Sequence, residues 1–272
     1  MKLSIFTTVT DPSKRGDNVK DALACYKDLA DEVVVVNGSI TPLYADGIKE
    51  ITHLWRREFD WAFIGEQFTR GYNASSGDWV IHADLDFVFH ENDFNNIRKA
   101  LEDNPEAPAV SFYKWQFILP DRYNLKSRLA IAVNKKKYGD RIKFSGGGDL
   151  CQPTLDGKDL DINELPQAGV PFYNYEKILK TEDQIKDDVQ RMARAWDKHF
   201  GNLHLGDDDT AYSEWLKMVT GRFGKPQRHI SLSDHPKYVQ DTIKNLKPEH
   251  FGYNGFNKLE ANDYVKSSVR SR

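Results

Sequence analysis

The 272-residue sequence has only two cysteines, Cys25 and Cys151. Their placement matches neither a disulfide framework nor a zinc site, so a disulfide-stapled secreted domain is excluded and a reducing cytoplasm is the simplest compartment. No stretch approaches the roughly 20 apolar residues of a membrane-spanning helix. The opening MKLSIFTTVTDPSK holds too short an apolar run for a secretory signal. Internal repeats and low-complexity segments are absent. Charge of one sign is also lacking: 38 Lys and Arg against 41 Asp and Glu give a net charge of −3. That argues against broad, non-specific binding to nucleic acid or acidic membrane, though not against a local basic patch.

What is present supports a substantial core, since 39% of residues are hydrophobic and 12% aromatic. The length suits one large or two small domains. Leu3 to Val9 (LSIFTTV) reads as a strand that Asp11-Pro12 breaks, followed by a polar loop over Ser13 to Asp17. Val19, Leu23, Tyr26 and Leu29 recur at near-helical spacing and predict a helix from Asn18 to Ala30. The β-branched run Val33 to Val36 predicts a buried strand ending in the turn Asn37-Gly38-Ser39. A helix or turn is expected around Asp46 to Glu50, and a helix over Glu66 to Ser75. Such alternation predicts an α/β fold with a parallel sheet. Ligands of such sheets sit at the carboxyl ends of the strands.

The segment Gly77 to His90, GDWVIHADLDFVFH, carries the sharpest signal. A turn at Gly77-Asp78 leads into the apolar run Trp79-Val80-Ile81, and then come Asp84 and Asp86. Residues i and i+2 of a strand share a side. The two carboxylates therefore face one way while Leu85 points into the core. Carboxylates at the end of a buried strand need compensation by water, by Lys or Arg, or by a hard divalent cation. A magnesium- or manganese-type ion prefers oxygen ligands and keeps substrate phosphates as co-ligands.

The order of these pieces across Leu3 to Asp86 resembles the nucleotide-sugar-binding half of family 2 glycosyltransferases, which have the GT-A fold. The resemblance rests on the first strand and its polar loop, on Asn37-Gly38-Ser39 and Asp46-Gly47, and on Gly-Asp-Trp-Val before an Asp-x-Asp motif. It continues in an aromatic strand (Val110 to Phe117), a basic connecting segment (Arg122 to Lys143) and the glycine-rich loop Ser145-Gly146-Gly147-Gly148-Asp149-Leu150. It implies a mixed, mostly parallel central sheet flanked by helices, with a catalytic domain over residues 1–180 and a mainly helical extension over 181–272. The implied activity is metal-dependent transfer of a sugar from a nucleotide diphosphate donor, a UDP-sugar, to an acceptor hydroxyl with inversion. The implied cofactor is Mn2+ or Mg2+, with Asp86 as direct ligand and Asp84 acting through the ribose or a metal-bound water. Thr7, Thr8, Asn37, Asp46 and Arg70 are the implied donor-binding residues, and Asp149 is the implied general base. Many relatives carry an acid at the position of Asn37; Asn can hydrogen-bond uracil but holds no charge. Asn174, within Phe172-Tyr173-Asn174-Tyr175, stands where relatives have a His and is the third implied metal ligand.

Other features have plainer readings. The amphipathic stretch Glu182 to His199 reads as a packing helix. Asp207-Asp208-Asp209 reads as solvated acids before a helix N-terminus. His235-Pro236 reads either as an echo of relatives or as an exposed turn, and the tail Ala261 to Arg272 has no core pattern. Between Asp121 and Lys143, eight basic residues face two acidic ones. That excess suits either a solvated helix face or a polyanionic acceptor such as a modified nucleic acid. Two other function classes remain: a nucleotidyltransferase, which needs a phosphate-gripping basic loop near the first strand, and a non-catalytic carbohydrate-binding protein.

Overall fold

The first strands are apolar on both faces, and both faces are covered. Along β1 (Leu3–Val9) and β2 (Glu32–Asn37), Ile5, Val33 and Val35 enter one buried cluster, while Phe6 and Val34 enter another. Side chains alternate along a strand, so a continuous apolar run marks a sheet buried on both sides. Residues 1–43, 45–55, 61–144, 152–223, 227–257 and 259 are described by the computed structural model.

Between β1 and β2 lie a short helix α1 (Pro12–Arg15) and α2 (Val19–Leu29). The chain continues through β3 (Lys49–Thr52), α3 (Trp61–Ala74), β4 (Trp79–His82), β5 (Phe87–Val88) and α4 (Phe94–Glu102). A long hairpin follows, β6 (Ala109–Leu119) and β7 (Arg122–Asn134), then α5 (Lys135–Tyr138). A small sheet of β8 (Ile142–Phe144), β9 (Pro153–Leu155) and β10 (Lys158–Asp159) precedes β11 (Gln167–Asn174). The remainder is mainly helical: α6 (Glu182–Phe200), α7 (Ala211–Phe223), β12 (Arg228–His229), α8 (Lys237–Lys244) and α9 (Phe251–Asn254).

Among the described residues, the main sheet has nine strands in the order β3-β2-β1-β4-β7-β6-β11-β5, with β12 beside β7. Only β7 and β5 run against the rest. This is an α/β fold with a mixed, mostly parallel sheet, helices on its faces and a helical C-terminal extension. Helices α2, α4 and α8 cover one face through Leu23, Ile97, Leu101 and Val239. Helix α3 covers the other through Phe68 and Tyr72. A third cluster joins α6, α7 and α9 to Ile118 and Leu119 at the end of β6.

Several local expectations are corrected. Of the helix or turn expected around Asp46 to Glu50, the turn is present at Asp46-Gly47 and the helix is not: Lys49–Thr52 forms the parallel edge strand β3, whose charged residues suit an unpaired edge. The loop after β1 contains the helical turn α1. The first part of the basic segment from Arg122 is neither a connector nor a helix face but the long strand β7 paired with β6, while Lys135, Lys136 and Lys137 lie on the short helix α5. His235 is no exposed turn. It is 1% exposed, with Nε2 2.7 Å from the Pro120 carbonyl and Nδ1 2.8 Å from the Tyr175 hydroxyl. The expected helix over Glu182 to His199 is α6, started by a capping box between Thr181 and Gln184. Asp207 accepts from the backbone and hydroxyl of Thr210 just before α7, as acids at a helix start should. The tail from Ala261 lies outside the described residues.

One junction aims the chain at the site. The last four carbonyls of α3 have no intrahelical partner. Ser75 donates to the Gly71 carbonyl, Lys49 to that of Ala74, and Lys135 to those of Tyr72, Asn73 and Ser75. At Gly77 an added Cβ would stand 2.6 Å from the backbone nitrogen of Ser4, so only glycine fits where the chain turns into β4.

Candidate active site

The carboxyl ends of β1, β4 and β11 open on one cavity of about 1010 Å³. Its wall includes Thr8, Asp84, Asp86, Lys114, Gln116 and Asn174. The size suits a small-molecule site. Strands β4 and β5 occupy separate places in the sheet, so residues 83–86 bridge them over this opening. Leu85 is 7% exposed and packs in the core, while the Asp84 side chain is 42% exposed. The alternation expected from sequence thus appears in the loop between the strands.

Register explains why Asp86 meets Asn174. β5 pairs with β11 so that Phe87 faces Asn174, and the Tyr175 amide donates to the Asp86 carbonyl at 2.9 Å. The Asn174 amide nitrogen then donates to Asp86 Oδ2 at 2.6 Å. Asp84 Oδ1 lies 3.1 Å from His82 Nε2, and His82 stacks on Phe6. Burial alone would raise Asp84, but His82, Lys114 and Arg15 outweigh it and hold this carboxyl below its usual range. Asp86 goes the other way: burial, then Asp84 and Glu176, push it up to about 7, against Lys114.

The oxygen set fits a hard divalent cation. Asn174 is 1% exposed, yet its Oδ1 is buried without a hydrogen-bond partner, and Gln116 Oε1 is likewise unsatisfied. Buried carbonyl oxygens without donors are costly and call for a ligand, an ion or water. They share a cavity wall with the Asp84 and Asp86 carboxylates, and all four side chains offer oxygen, the donor type magnesium or manganese prefers. Among the described residues no three His, Cys, Asp or Glu side chains converge as a metal cluster. Any ion here depends on the amide carbonyls.

The other expected site residues divide. Thr8 lines the cavity, but Thr7, its neighbour on the strand, faces away and is fully buried. Asn37 is not in the wall. Its amide nitrogen donates to Thr41 O and Glu50 Oε1, and its Oδ1 accepts from the Ser39 amide, so the side chain is consumed in holding its own turn. Asp46 and Arg70 are exposed and outside the wall. Asp149 and its glycine-rich loop lie outside the described residues.

Sequence reasoning passed over other members of the wall. Lys114 and Gln116, each 8% exposed, form an i, i+2 polar pair in an otherwise apolar strand, a legible but unread signal. Arg15, Lys177, Lys180, Asp188 and Arg191 also line the cavity. Four of them fall within residues 177–191, and Arg15 joins them from far away in sequence. The basic run of β7 and α5 is largely engaged with protein partners. Arg122 pairs with Asp121, Arg128 donates to Ser111 Oγ, and Lys137 pairs with Glu106. Lys136 pairs with Asp78, and Arg141 with Asp156. Of this run, Lys126 reaches the cavity.

No family model and no curated protein matches the sequence. Among solved structures, residues 1–349 of S. aureus TarS, in complex with UDP, align at 10% identity and a TM-score of 0.44, covering 100% of this chain and 92% of that one. Glucosyl-3-phosphoglycerate synthase from Mycobacterium tuberculosis, in complex with Mn2+, UDP and glucosyl-3-phosphoglycerate, aligns at 12% identity and a TM-score of 0.38, covering 72% and 79%. CMP:2-keto-3-deoxy-manno-octonic acid synthetase, complexed with CTP, aligns at 16% identity and 0.32, covering 42% of this chain. This chain spans about half of that synthetase, 53% of its length. No helix of the described residues is long and apolar enough to cross a membrane. The fold assignment stands on the strand order and register above.

Proposed function

We propose that this chain is a glycosyltransferase of the GT-A type, moving a sugar from a UDP-sugar to an acceptor hydroxyl. The observation that supports this most is the meeting of Asp84, Asp86 and the unsatisfied Asn174 carbonyl at one cavity, on the carboxyl side of a mixed α/β sheet. In this reading Asp86 and the Asn174 carbonyl would hold the cation, and Asp84 would hold the ribose or a water beside the ion. A bound Mn2+ or Mg2+ supplies Lewis-acid stabilisation of the departing diphosphate. His82 keeps Asp84 ionised and fixed in orientation. Thr8 offers a hydroxyl at the end of β1. Asp149 takes the proton of the acceptor hydroxyl as general base. The hydroxyl oxygen forms the new bond to the anomeric carbon as the diphosphate oxygen leaves the opposite side, which inverts that centre.

Calorimetric titration with UDP, with and without Mn2+, tests the reading. The wild type should bind UDP more tightly with Mn2+, and Asp86→Asn should remove that dependence while keeping a cooperative melt. Unchanged manganese dependence in Asp86→Asn rejects the assigned role. A second reading has one specific observation in its favour: Arg15, just after the first strand, lines the cavity, as a nucleotidyltransferase would require. Release of pyrophosphate from a nucleoside triphosphate, with no hydrolysis of any UDP-sugar, would select it.

A further inference from the structure

Beside the Asp-x-Asp turn, the cavity wall carries a cluster of cations centred on the buried carboxylate Asp188, with Asp17 beside Lys180 and Arg15, and with Glu176 3.1 Å from Lys177. Asp188 on α6 has a side chain only 8% exposed. Its Oδ2 lies 2.8 Å from Lys180 Nζ and 3.1 Å from Lys177 Nζ, and its Oδ1 accepts from Arg191. Burial would raise this carboxyl, but Lys177, Lys180, Arg15 and Arg191 together hold it far below the usual range. Lys180 also donates to the Arg15 carbonyl at 2.7 Å and to Asp17 at 3.0 Å, tying the turn after β1 to the segment after β11.

Two features go beyond a structural ion pair. Arg15 Nε is buried without a hydrogen-bond partner, its nearest acid being Asp17 Oδ2 at 3.3 Å. Arg15 and Arg191 also crowd one another: burial lowers the Arg191 pKa, and the charge of Arg15 lowers it further. Two guanidiniums on one cavity wall that repel one another, one of them with an Nε that lacks a hydrogen bond, are relieved by an anion. Guanidinium forks match phosphate oxygens, and an ammonium beside them adds point charge.

We infer that Arg15, Lys177, Lys180 and Arg191 form a clamp for a diphosphate group, with Asp188 as the residue that positions them. The inference rests on the proposed donor reading for the identity of the ligand as a nucleoside diphosphate. The clamp supplies positive charge from the protein to the oxygen that leaves the sugar. Asp188 itself touches no ligand.

Titration of the full chain with UDP, uridine and inorganic pyrophosphate, with and without Mn2+, tests it. Arg15→Gln and Arg191→Gln should each weaken UDP and pyrophosphate about tenfold, the lower end for a lost charged hydrogen bond. Uridine affinity should not move. Arg191→Lys keeps the charge and should recover part of the loss, which also guards against a misfolded glutamine variant. Asp188→Asn, measured well below its melting temperature, should weaken pyrophosphate while sparing uridine. Unchanged UDP and pyrophosphate affinity in both arginine variants overturns the clamp and leaves the donor reading standing. Pyrophosphate bound by the wild type, lost in the variants, and no affinity for UDP upholds the clamp and removes the donor reading. A wild type that binds neither overturns both.

Discussion

Replacing Lys135 by Met separates a structural from an acceptor-binding role for the basic run. Met keeps most of the aliphatic stem and removes the ammonium. In the structure that ammonium donates to the carbonyls of Tyr72 at 2.7 Å, Asn73 at 3.1 Å and Ser75 at 2.6 Å, and sits 4.7 Å from the Tyr72 ring centroid. A hydrogen bond to a charged group contributes roughly 1.5–3 kcal/mol, and a cation at a helix C-terminus roughly 0.3–1 kcal/mol. Three bonds to one ammonium do not add, and partly exposed carbonyls regain water. The expected loss is therefore about 2 kcal/mol. Urea unfolding followed by tryptophan fluorescence should show a lower midpoint at unchanged slope. Affinity for single-stranded RNA, the simplest polyanion probe, should not change. A midpoint within about 0.5 kcal/mol of wild type, with weaker RNA binding, would refute the capping role and restore the polyanionic acceptor.

Two further outcomes are expected. Asp149→Asn should spare UDP affinity and cut sugar transfer by at least about a hundredfold, the range for a lost general base; near-normal transfer places the base elsewhere. His235 is neutral in the fold because burial lowers its pKa from 6.5. The folded chain then binds fewer protons there than the unfolded one, so this group's contribution is complete above about pH 6.5 and is lost as pH falls below it. Urea midpoints of the wild type minus those of His235→Gln should shrink from pH 7 to pH 5. A difference that stays constant over that interval assigns the titration to another group.

The sheet was legible where the sequence was apolar. Leu3–Val9 and the valine run of β2 needed no tertiary information, because a doubly buried strand has no polar face. The edge strand β3 was hidden by the same rule: half-exposed Lys-Glu-Ile-Thr carries no alternation to read. Asp84 and Asp86 were found by their own spacing, and Asn174 only through the family resemblance, since its partner is 88 residues away. Asn37 shows how a turn signal and a binding signal coincide. Asn-Gly-Ser is both a good turn and a good base contact, and only the hydrogen bonds to Ser39, Thr41 and Glu50 reveal the first. The cluster around Asp188 was hard to read because Arg15, at the end of α1, joins it from far away in sequence, while Lys177 and Lys180 after β11 and Asp188 and Arg191 on α6 look like ordinary surface charges of an amphipathic stretch.

In the proposed reading, the cavity wall gives a reason for metal and donor to enter together. Asp17, Asp84, Asp86, Glu176 and Asp188 line it, and so do Arg15, Lys114, Lys177, Lys180 and Arg191. With Glu214, Lys126, Lys217 and Arg222, which also line the cavity, the wall holds six potential anions and eight cations. A divalent cation alone adds two positive charges beside Lys114. A diphosphate diester alone adds two negative charges beside Asp84 and Asp86. Either imbalance is costly where water is partly excluded. The pair together adds no net charge. In the proposed reaction, breaking the sugar bond leaves one further negative charge on the diphosphate, and the cations of the inferred clamp on the same wall, Arg15 among them, are there to offset it.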